Sequence, residues 1–178
     1  KSKKEHESGS DRIAEAVENL DFDIVVNVQG DEPLTKKEPL QNLLEVFKND
    51  QKKEIDIASL KFKMDDLEEI NSPNNVKVVC DENNFAMYFS RSPIPYPRDT
   101  SMAVYYKHIG IYAFRKEALL QFTKMPINQL EAAEKLENLR FLANGLKVKM
   151  VETNEIAIGI DTPEDLVKAN ALFKNNQC

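Results

Sequence analysis

The run Ile24 to Val28 (IVVNV) is a β-branched segment bounded by Asp23 and by the turn Gln29-Gly30-Asp31-Glu32-Pro33, and Pro39 to Phe47 then returns its apolar residues at helical spacing. A short strand apolar on both faces, followed by a loop and an amphipathic helix, requires a sheet covered by helices. Other segments repeat the alternation. Asp11 to Leu20 predicts a helix capped by Ser10 or Asp11, Ile55 to Leu60 a strand, and Met64 to Ile70 a short acidic helix closed by Asn71-Ser72-Pro73. Val76 to Cys80 and Phe85 to Ser90 flank the turn Asp81-Glu82-Asn83-Asn84 and predict a hairpin, while Pro93, Pro95 and Pro97 make Ser92 to Thr100 an extended or mobile loop. His108 to Phe114 and Lys147 to Val151 read as strands, with Lys116 to Phe122 as a helix between them. The strongest period predicts one helix over Gln129 to Ala143, with Leu130, Ala133, Leu136, Leu139, Phe141 and Leu142 on its apolar side and Asn144-Gly145 as its stop. Ala157 to Ile160 leads into Asp161-Thr162-Pro163, which opens a last helix to about Leu172. The expected fold is an α/β sandwich with an antiparallel insertion between Val76 and Phe114.

The 178 residues suit a single domain, and 24 Lys and Arg against 30 Asp and Glu leave a net charge of −6. Binding to duplex nucleic acid needs a basic face, and only Lys1, Lys3 and Lys4 cluster, so a nucleic-acid partner is not expected. Uncharged stretches such as Ser101 to Tyr106 and His108 to Phe114 are too short to span a bilayer as helices. Cys80 and Cys178 form neither a disulfide framework nor a metal motif, and no charged-then-apolar leader opens the sequence, so a reducing cytoplasm is the expected location.

Asp31 and Asp161 each follow an apolar run and precede a Pro-containing turn, the place where open α/β sheets put their ligand sites. Two such carboxylates can share a hard cation such as Mg²⁺ together with phosphate oxygens; Asp161 is equally a good helix N-cap, and Asp31 a turn residue. Ser8-Gly9-Ser10-Asp11-Arg12 puts small residues before a helix, suited either to a phosphate or nucleobase edge or to a simple surface cap with a solvated Arg. His108 and Tyr112 project from one strand face near Arg91, an arrangement open to an anionic polyhydroxylated ligand or to ordinary core packing. Glu131, Glu134, Glu137 and Asn138 lie along the strongest helix, where a solvated face is the usual explanation. Gly-rich phosphate loops, GxSxG and HExxH are absent, which removes P-loop, serine-hydrolase and zinc-protease readings.

The segments HESGSDR (His6 to Arg12), VVNVQGDEPL (Val25 to Leu34), NNVKVV (Asn74 to Val79), YFSRSPIPY (Tyr88 to Tyr96), KHIGIYAFR (Lys107 to Arg115), LEAAEKLENLR (Leu130 to Arg140) and GIDTPEDL (Gly159 to Leu166), taken in order, resemble the 3-deoxy-manno-octulosonate (Kdo) cytidylyltransferases. The resemblance spans nearly the whole chain. It implies a Rossmann-like nucleotidyltransferase sandwich with a mixed sheet, usually a homodimer, that converts CTP and Kdo into CMP-Kdo and pyrophosphate for lipopolysaccharide synthesis. It also implies Mg²⁺ on Asp31 and Asp161, CTP contacts from Ser8, Gly9, Arg12 and Gln29, and a sugar-acid pocket of Arg91, His108, Tyr112, Glu137 and Asn138. Asp31, Asp161 and Arg91 would serve the chemistry itself. Two departures stand out. Asn138 occupies a position where the family commonly has Gln, and the family's opening strand with its phosphate-gripping basic loop has no counterpart ahead of Lys1, so residues 1–178 are expected to form one N-terminally truncated domain. The alternatives are a cytidylyltransferase for another acidic sugar (N-acylneuraminate or an amino-Kdo) and a non-catalytic remnant.

Overall fold

The computed structural model describes residues 9–28, 30, 35–155, 167 and 170. In chain order the elements are α1 (Gly9–Val17), β1 (Ile24–Asn27), α2 (Lys37–Asn49), β2 (Ile57–Met64), α3 (Leu67–Asn71), β3 (Lys77–Cys80), β4 (Ala86–Ser90), β5 (Tyr105–Arg115), α4 (Lys116–Phe122), α5 (Gln129–Glu134), α6 (Asn138–Ala143) and β6 (Val148–Glu152). Strands run in the order β4-β3-β5-β2-β6, and β1 pairs with the end of β5. Among these strands only β2 and β6 pair in parallel, so the sheet is mixed, as expected. The hairpin β3–β4 leaves β5 at Lys77 and its tip reaches the opposite edge, where the Asn84 carbonyl accepts the Met150 N–H at 2.8 Å.

Helices cover both faces. On one, α2 sets the fully buried Leu43 and the buried Phe47 against Ala58, Leu60, Ile109, Ile111 and Ala113. On the other, Ala14 and Val17 of α1, Leu119 and Phe122 of α4, and Leu139 and Phe141 of α6 enclose Val25, Ile57, Phe114 and Val148. The alternation of the strands explains the division, since successive side chains point to opposite faces.

Four of the differences from the sequence reading bear most on the fold. Helix α1 begins at Gly9, ahead of the expected caps Ser10 and Asp11, and ends at Val17. Strand β2 begins at Ile57 because the Ile55 N–H goes to Asp50 Oδ2 (2.8 Å) and its carbonyl accepts Arg115 Nε (2.8 Å), which withdraws Ile55 from the ladder. Met64 closes β2, and α3 starts only at Leu67, after Asp66 accepts the Glu68 N–H at 2.8 Å as its cap.

The fourth difference has the largest consequence: the single helix expected over Gln129 to Ala143 is two helices. Lys135 adopts a left-handed conformation (φ 54°, ψ 46°) between α5 and α6. The Arg140 guanidinium grips Glu131 through Nε–Oε2 (2.7 Å) and Nη2–Oε1 (2.6 Å). On a straight helix those residues would lie on opposite sides and about 13 Å apart along the axis, so the ion pair requires the break. The pair is buried and stacks on Phe122, with the Arg140 carbon 4.4 Å from the ring centroid. Leu130 and Ala133, expected on an apolar face, are exposed instead. Of the expected final helix only Val167 and Asn170 are described, and both are helical.

Candidate active site

Cross-strand pairing sorts the sheet face under α1, α4 and α6 into rows. Val25, Phe114, Ile57 and Val148 occupy one register position across β1, β5, β2 and β6, and all four are buried. One pleat farther along, the row is Asn27, Tyr112, Ser59 and Met150, so an apolar floor gives way to polar groups within a single step. Asn27 and Ser59 are buried with it, at 8% and 0% exposure. Buried polar side chains are costly unless paired, which marks this row as the part of the sheet built for something other than packing.

His108 joins the row through an irregularity in β5. Leu60 pairs with Ile109 while Ser59 pairs with Tyr112, so Gly110 and Ile111 are extra residues on β5. In a regular strand positions four apart are about 13 Å apart; here the His108 and Tyr112 rings approach to 5.3 Å between centroids. The shared face expected from the sequence is present, and the bulge turns it into contact. Ser59 Oγ fills the bulge, lying 3.1 Å from the Ile109 carbonyl, 2.9 Å from the Ile111 carbonyl and 3.0 Å from His108 Nε2. Two carbonyls compete for the single hydroxyl proton, so the arrangement that satisfies most groups has His108 Nε2–H donating to Oγ. Phe89 packs edge-on to His108 at 5.1 Å, and Phe114 stacks beside Tyr112 at 5.5 Å.

Burial dominates the protonation of both rings. It lowers the His108 pKa from 6.5 to about 3, so the imidazole is neutral at physiological pH and acts by hydrogen bonding and not as a cation. Burial also pushes the Tyr112 phenol up, Glu137 adds to the rise through its negative charge, and a hydrogen bond with Asn138 opposes it; the phenol stays protonated. Glu137 and Asn138 reach Tyr112 because the break at Lys135 turns the start of α6 toward β5. Asn138 is 3% exposed, and its Oδ1 is buried with no hydrogen-bond partner among the described residues.

The cytidylyltransferase family model matches residues 2–174. The chain belongs to that family. Among relatives of this cytidylyltransferase, the 3-deoxy-manno-octulosonate cytidylyltransferase of Flavobacterium johnsoniae is 62% identical over 173 residues, covering 97% of this chain and 71% of the relative. The enzyme of that name from Fusobacterium nucleatum is 47% identical over 174 residues, covering 97% and 70%. A solved structure of CMP:2-keto-3-deoxy-manno-octonic acid synthetase complexed with CTP matches the fold with a TM-score of 0.91 at 38% identity, covering 96% of this chain and 70% of that one. The Rossmann-like nucleotidyltransferase sandwich expected from the sequence is therefore the fold of this cytidylyltransferase.

Of the residues singled out from the sequence, His108, Tyr112, Glu137 and Asn138 come together. Arg91, at the end of β4, is fastened to the outer side of the α5–α6 break: Nε donates to the Glu134 carbonyl at 2.8 Å and Nη1 to the Pro73 carbonyl at 2.9 Å, with Nη2 3.5 Å from the Lys135 carbonyl. Gly9 and the exposed Arg12 lie in the first turn of α1. Ser8, Gln29, Asp31 and Asp161 lie outside the described residues. The expectation of a solvated Glu131–Asn138 face is overturned, because Glu131 and Asn138 are buried and Glu134 and Glu137 half-buried. Sequence reading missed Ser59 and Lys77. Each had a signal, a polar residue among apolar neighbours in a strand (IASL and VKVV), which in a buried strand implies a specific partner.

Proposed function

We propose that this cytidylyltransferase transfers CMP from CTP to 3-deoxy-manno-octulosonate. The anomeric hydroxyl of the sugar acid attacks the α-phosphorus of CTP; the new phosphorus–oxygen bond forms as the bond to the β-phosphate breaks, the hydroxyl proton is lost, and pyrophosphate leaves in line. Little covalent chemistry is asked of the protein, so positioning and charge compensation carry most of the rate.

The observation that carries this reading is the buried polar row of the sheet, capped at Tyr112 by Asn138 of α6. An acceptor such as its Oδ1, buried without a donor, costs about 1–3 kcal/mol, and a sugar hydroxyl placed between Tyr112 and α6 supplies the missing donor. Neutral His108 and protonated Tyr112 offer hydrogen bonds to a polyhydroxylated ligand without adding charge. The contacts that fasten Arg91 leave part of its guanidinium fork for the sugar carboxylate, and Glu137 completes the pocket.

Gly9 and Arg12, at the N-terminal turn of α1, form the nucleotide side together with Ser8 and Gln29. The metal role follows the motif resemblance and goes to Asp31 and Asp161, which lie outside the described residues. Their hard carboxylate oxygens suit Mg²⁺, which when bound neutralises charge on the phosphates. We read the assembly as a homodimer, supported by the exposed apolar side chains Met87 (65%), Tyr96 (82%) and Met102 (77%) on and after the hairpin. No helix among the described residues is long and apolar enough to cross a membrane, and a cytoplasmic location is consistent with CTP as substrate.

Pyrophosphate release, measured with CTP, Mg²⁺ and either 3-deoxy-manno-octulosonate, an amino-Kdo or N-acylneuraminate, tests the reading. Turnover fastest with 3-deoxy-manno-octulosonate is expected. A preference for another acid would reassign the substrate, and CTP binding without release for any of them would make the chain a non-catalytic relative.

A further inference from the structure

Between the hairpin and the helical break, Arg91 is joined to two charged side chains to which the reaction gives no role, Glu134 and Lys77. Glu134, the last residue of α5, accepts Ser90 Oγ–H on Oε1 at 2.6 Å and the Arg91 N–H on Oε2 at 2.8 Å. Its own carbonyl receives Arg91 Nε at 2.8 Å, so the two residues clasp each other through backbone and side chain at once. Beneath them Lys77 is fully buried; its Nζ donates to the carbonyls of Ser72 (2.9 Å), Asn75 (2.7 Å) and Arg91. Burial lowers the Lys77 pKa, with the Glu134 charge opposing and Arg91 adding to the fall. Retaining such charges between a strand end and a helix end is costly, and the arrangement fixes one geometry in return.

That geometry matters because Glu134 immediately precedes the helical break. The next residue is the left-handed Lys135, whose N–H returns to the Glu131 carbonyl at 2.7 Å, and the chain then delivers Glu137 and Asn138 to Tyr112. Left-handed backbone at a lysine is unfavourable by about 1–2 kcal/mol, so the turn must be held from both sides. Arg140 on Glu131 and Met125 holds the inner side. On the outer side the Glu134 carboxylate ties the break to Ser90 and Arg91, alongside the Arg91 guanidinium on the Glu134 and Lys135 carbonyls. We infer that Glu134 is a positioning residue for the sugar-acid pocket: by locking the break onto the end of β4 it sets where Glu137 and Asn138 stand relative to Tyr112, while the nucleotide side is left alone. This inference rests on the pocket assignment above.

Glu134→Gln keeps the volume of the side chain but loses its charge, and one of its two acceptor positions becomes a donor facing the Arg91 N–H. The expected result is a KM for 3-deoxy-manno-octulosonate raised about tenfold with the KM for CTP within about twofold, as the loss of one charge-assisted hydrogen bond predicts. Ser90→Ala removes one of the two bonds to the Glu134 carboxylate, together with the Ser92 N–H bond that Ser90 Oγ accepts at 3.0 Å, and should move the same constant about threefold, and Glu134→Asp should recover part of the loss. The side-chain amide signal of Asn138 in a ¹⁵N NMR spectrum reports the position without turnover, since it lies at the Tyr112 ring. It should shift in Glu134→Gln and Ser90→Ala and shift back toward the wild-type position in Glu134→Asp.

Equal changes in both KM values, or an unmoved Asn138 signal in folded Glu134→Gln protein, would overturn the positioning role. A shifted Asn138 signal in a protein whose wild type handles a different sugar acid would leave the positioning established and the substrate assignment wrong, so the two failures are distinguishable.

Discussion

Helix α2 and the α5–α6 pair cover opposite faces of one sheet, and they are built by different rules. Helix α2 runs unbroken from Lys37 to Asn49 and buries Pro39, Leu43 and Phe47, all apolar. The α5–α6 pair spends a similar length of chain on two short helices, a left-handed lysine, a buried ion pair and a buried Asn with an orphan acceptor. Summed apolar burial is enough to hold α2 in place. Placing the carboxylate of Glu137 and the amide of Asn138 against Tyr112 takes directional contacts, and each of these carries a desolvation cost that α2 avoids. The face that folds by packing and the face proposed to handle ligand are thus separated by the thickness of the sheet.

The difference can be broken most severely at Arg140. Arg140→Met should leave Glu131 buried without its partner and destabilise the fold by about 3–5 kcal/mol, read as the shift in a urea unfolding midpoint. Leu43→Ala on α2 should cost about 3 kcal/mol as a cavity, because Leu43 is 0% exposed. The two variants should part in function: at temperatures where both remain folded, Leu43→Ala keeps the KM for the sugar acid, while Arg140→Met raises it because the break loses its inner tie. Equal sugar KM values in the two variants would show that the break does not shape the pocket.

A subtler contrast is in pH dependence. Among the described residues the α2 face holds no buried imidazole, whereas His108 on the other face is neutral, with a folded pKa of about 3 against 6.5 in its ordinary state. The unfolded chain therefore takes up a proton that the folded chain refuses. Stability from this source is fully present above pH 6.5 and is lost as pH falls from there toward 3. Between pH 7 and pH 5 the loss should be about 2 kcal/mol. His108→Gln should flatten that part of the curve, whatever its effect at pH 7, and chemical unfolding at the two pH values in both proteins measures it. An identical pH slope in the variant would mean that the imidazole is protonated in the fold.

What could be read from the sequence follows the same division. The α2 face and the strands against it are written in periodicity: Leu40, Leu43, Leu44 and Phe47 recur at helical spacing, and the β-branched run at Ile24 marks its strand directly. The α5–α6 face deceived the same method. Leu136, Leu139 and Phe141 keep helical spacing through a break that is caused by Glu131 and Arg140 meeting in space, which no local period records. His108 and Tyr112 were legible as same-face residues, yet their contact depends on the β5 bulge, and the bulge depends on Ser59 from another strand. Motif resemblance pointed to the residues of the proposed pocket where periodicity could not, because a family's motifs already contain the tertiary constraint. It did not reach Lys77 or Glu134 as functional, since their work is done through Arg91 and not on a ligand.

The smallest expected effect concerns the break itself. If Glu134 and Arg140 hold Lys135 in its left-handed conformation against its own preference, glycine at that position should relieve the strain, since it adopts positive φ without a Cβ clash. Relief of about 1 kcal/mol is partly offset by the greater freedom of glycine in the unfolded chain, which leaves Lys135→Gly more stable by about 0.5 kcal/mol. Lys135 is exposed, so no packing is lost. The sugar KM should not move, because the ties that locate the break remain. In a Glu134→Gln background the same glycine should be worth less, as the unlocked turn can already relax toward a helix. A calorimetric comparison of the four proteins measures that coupling, and strict additivity would show that the conformation of Lys135 is set by the α5 cap and Arg140 alone, with Glu134 fixing only where the break is docked.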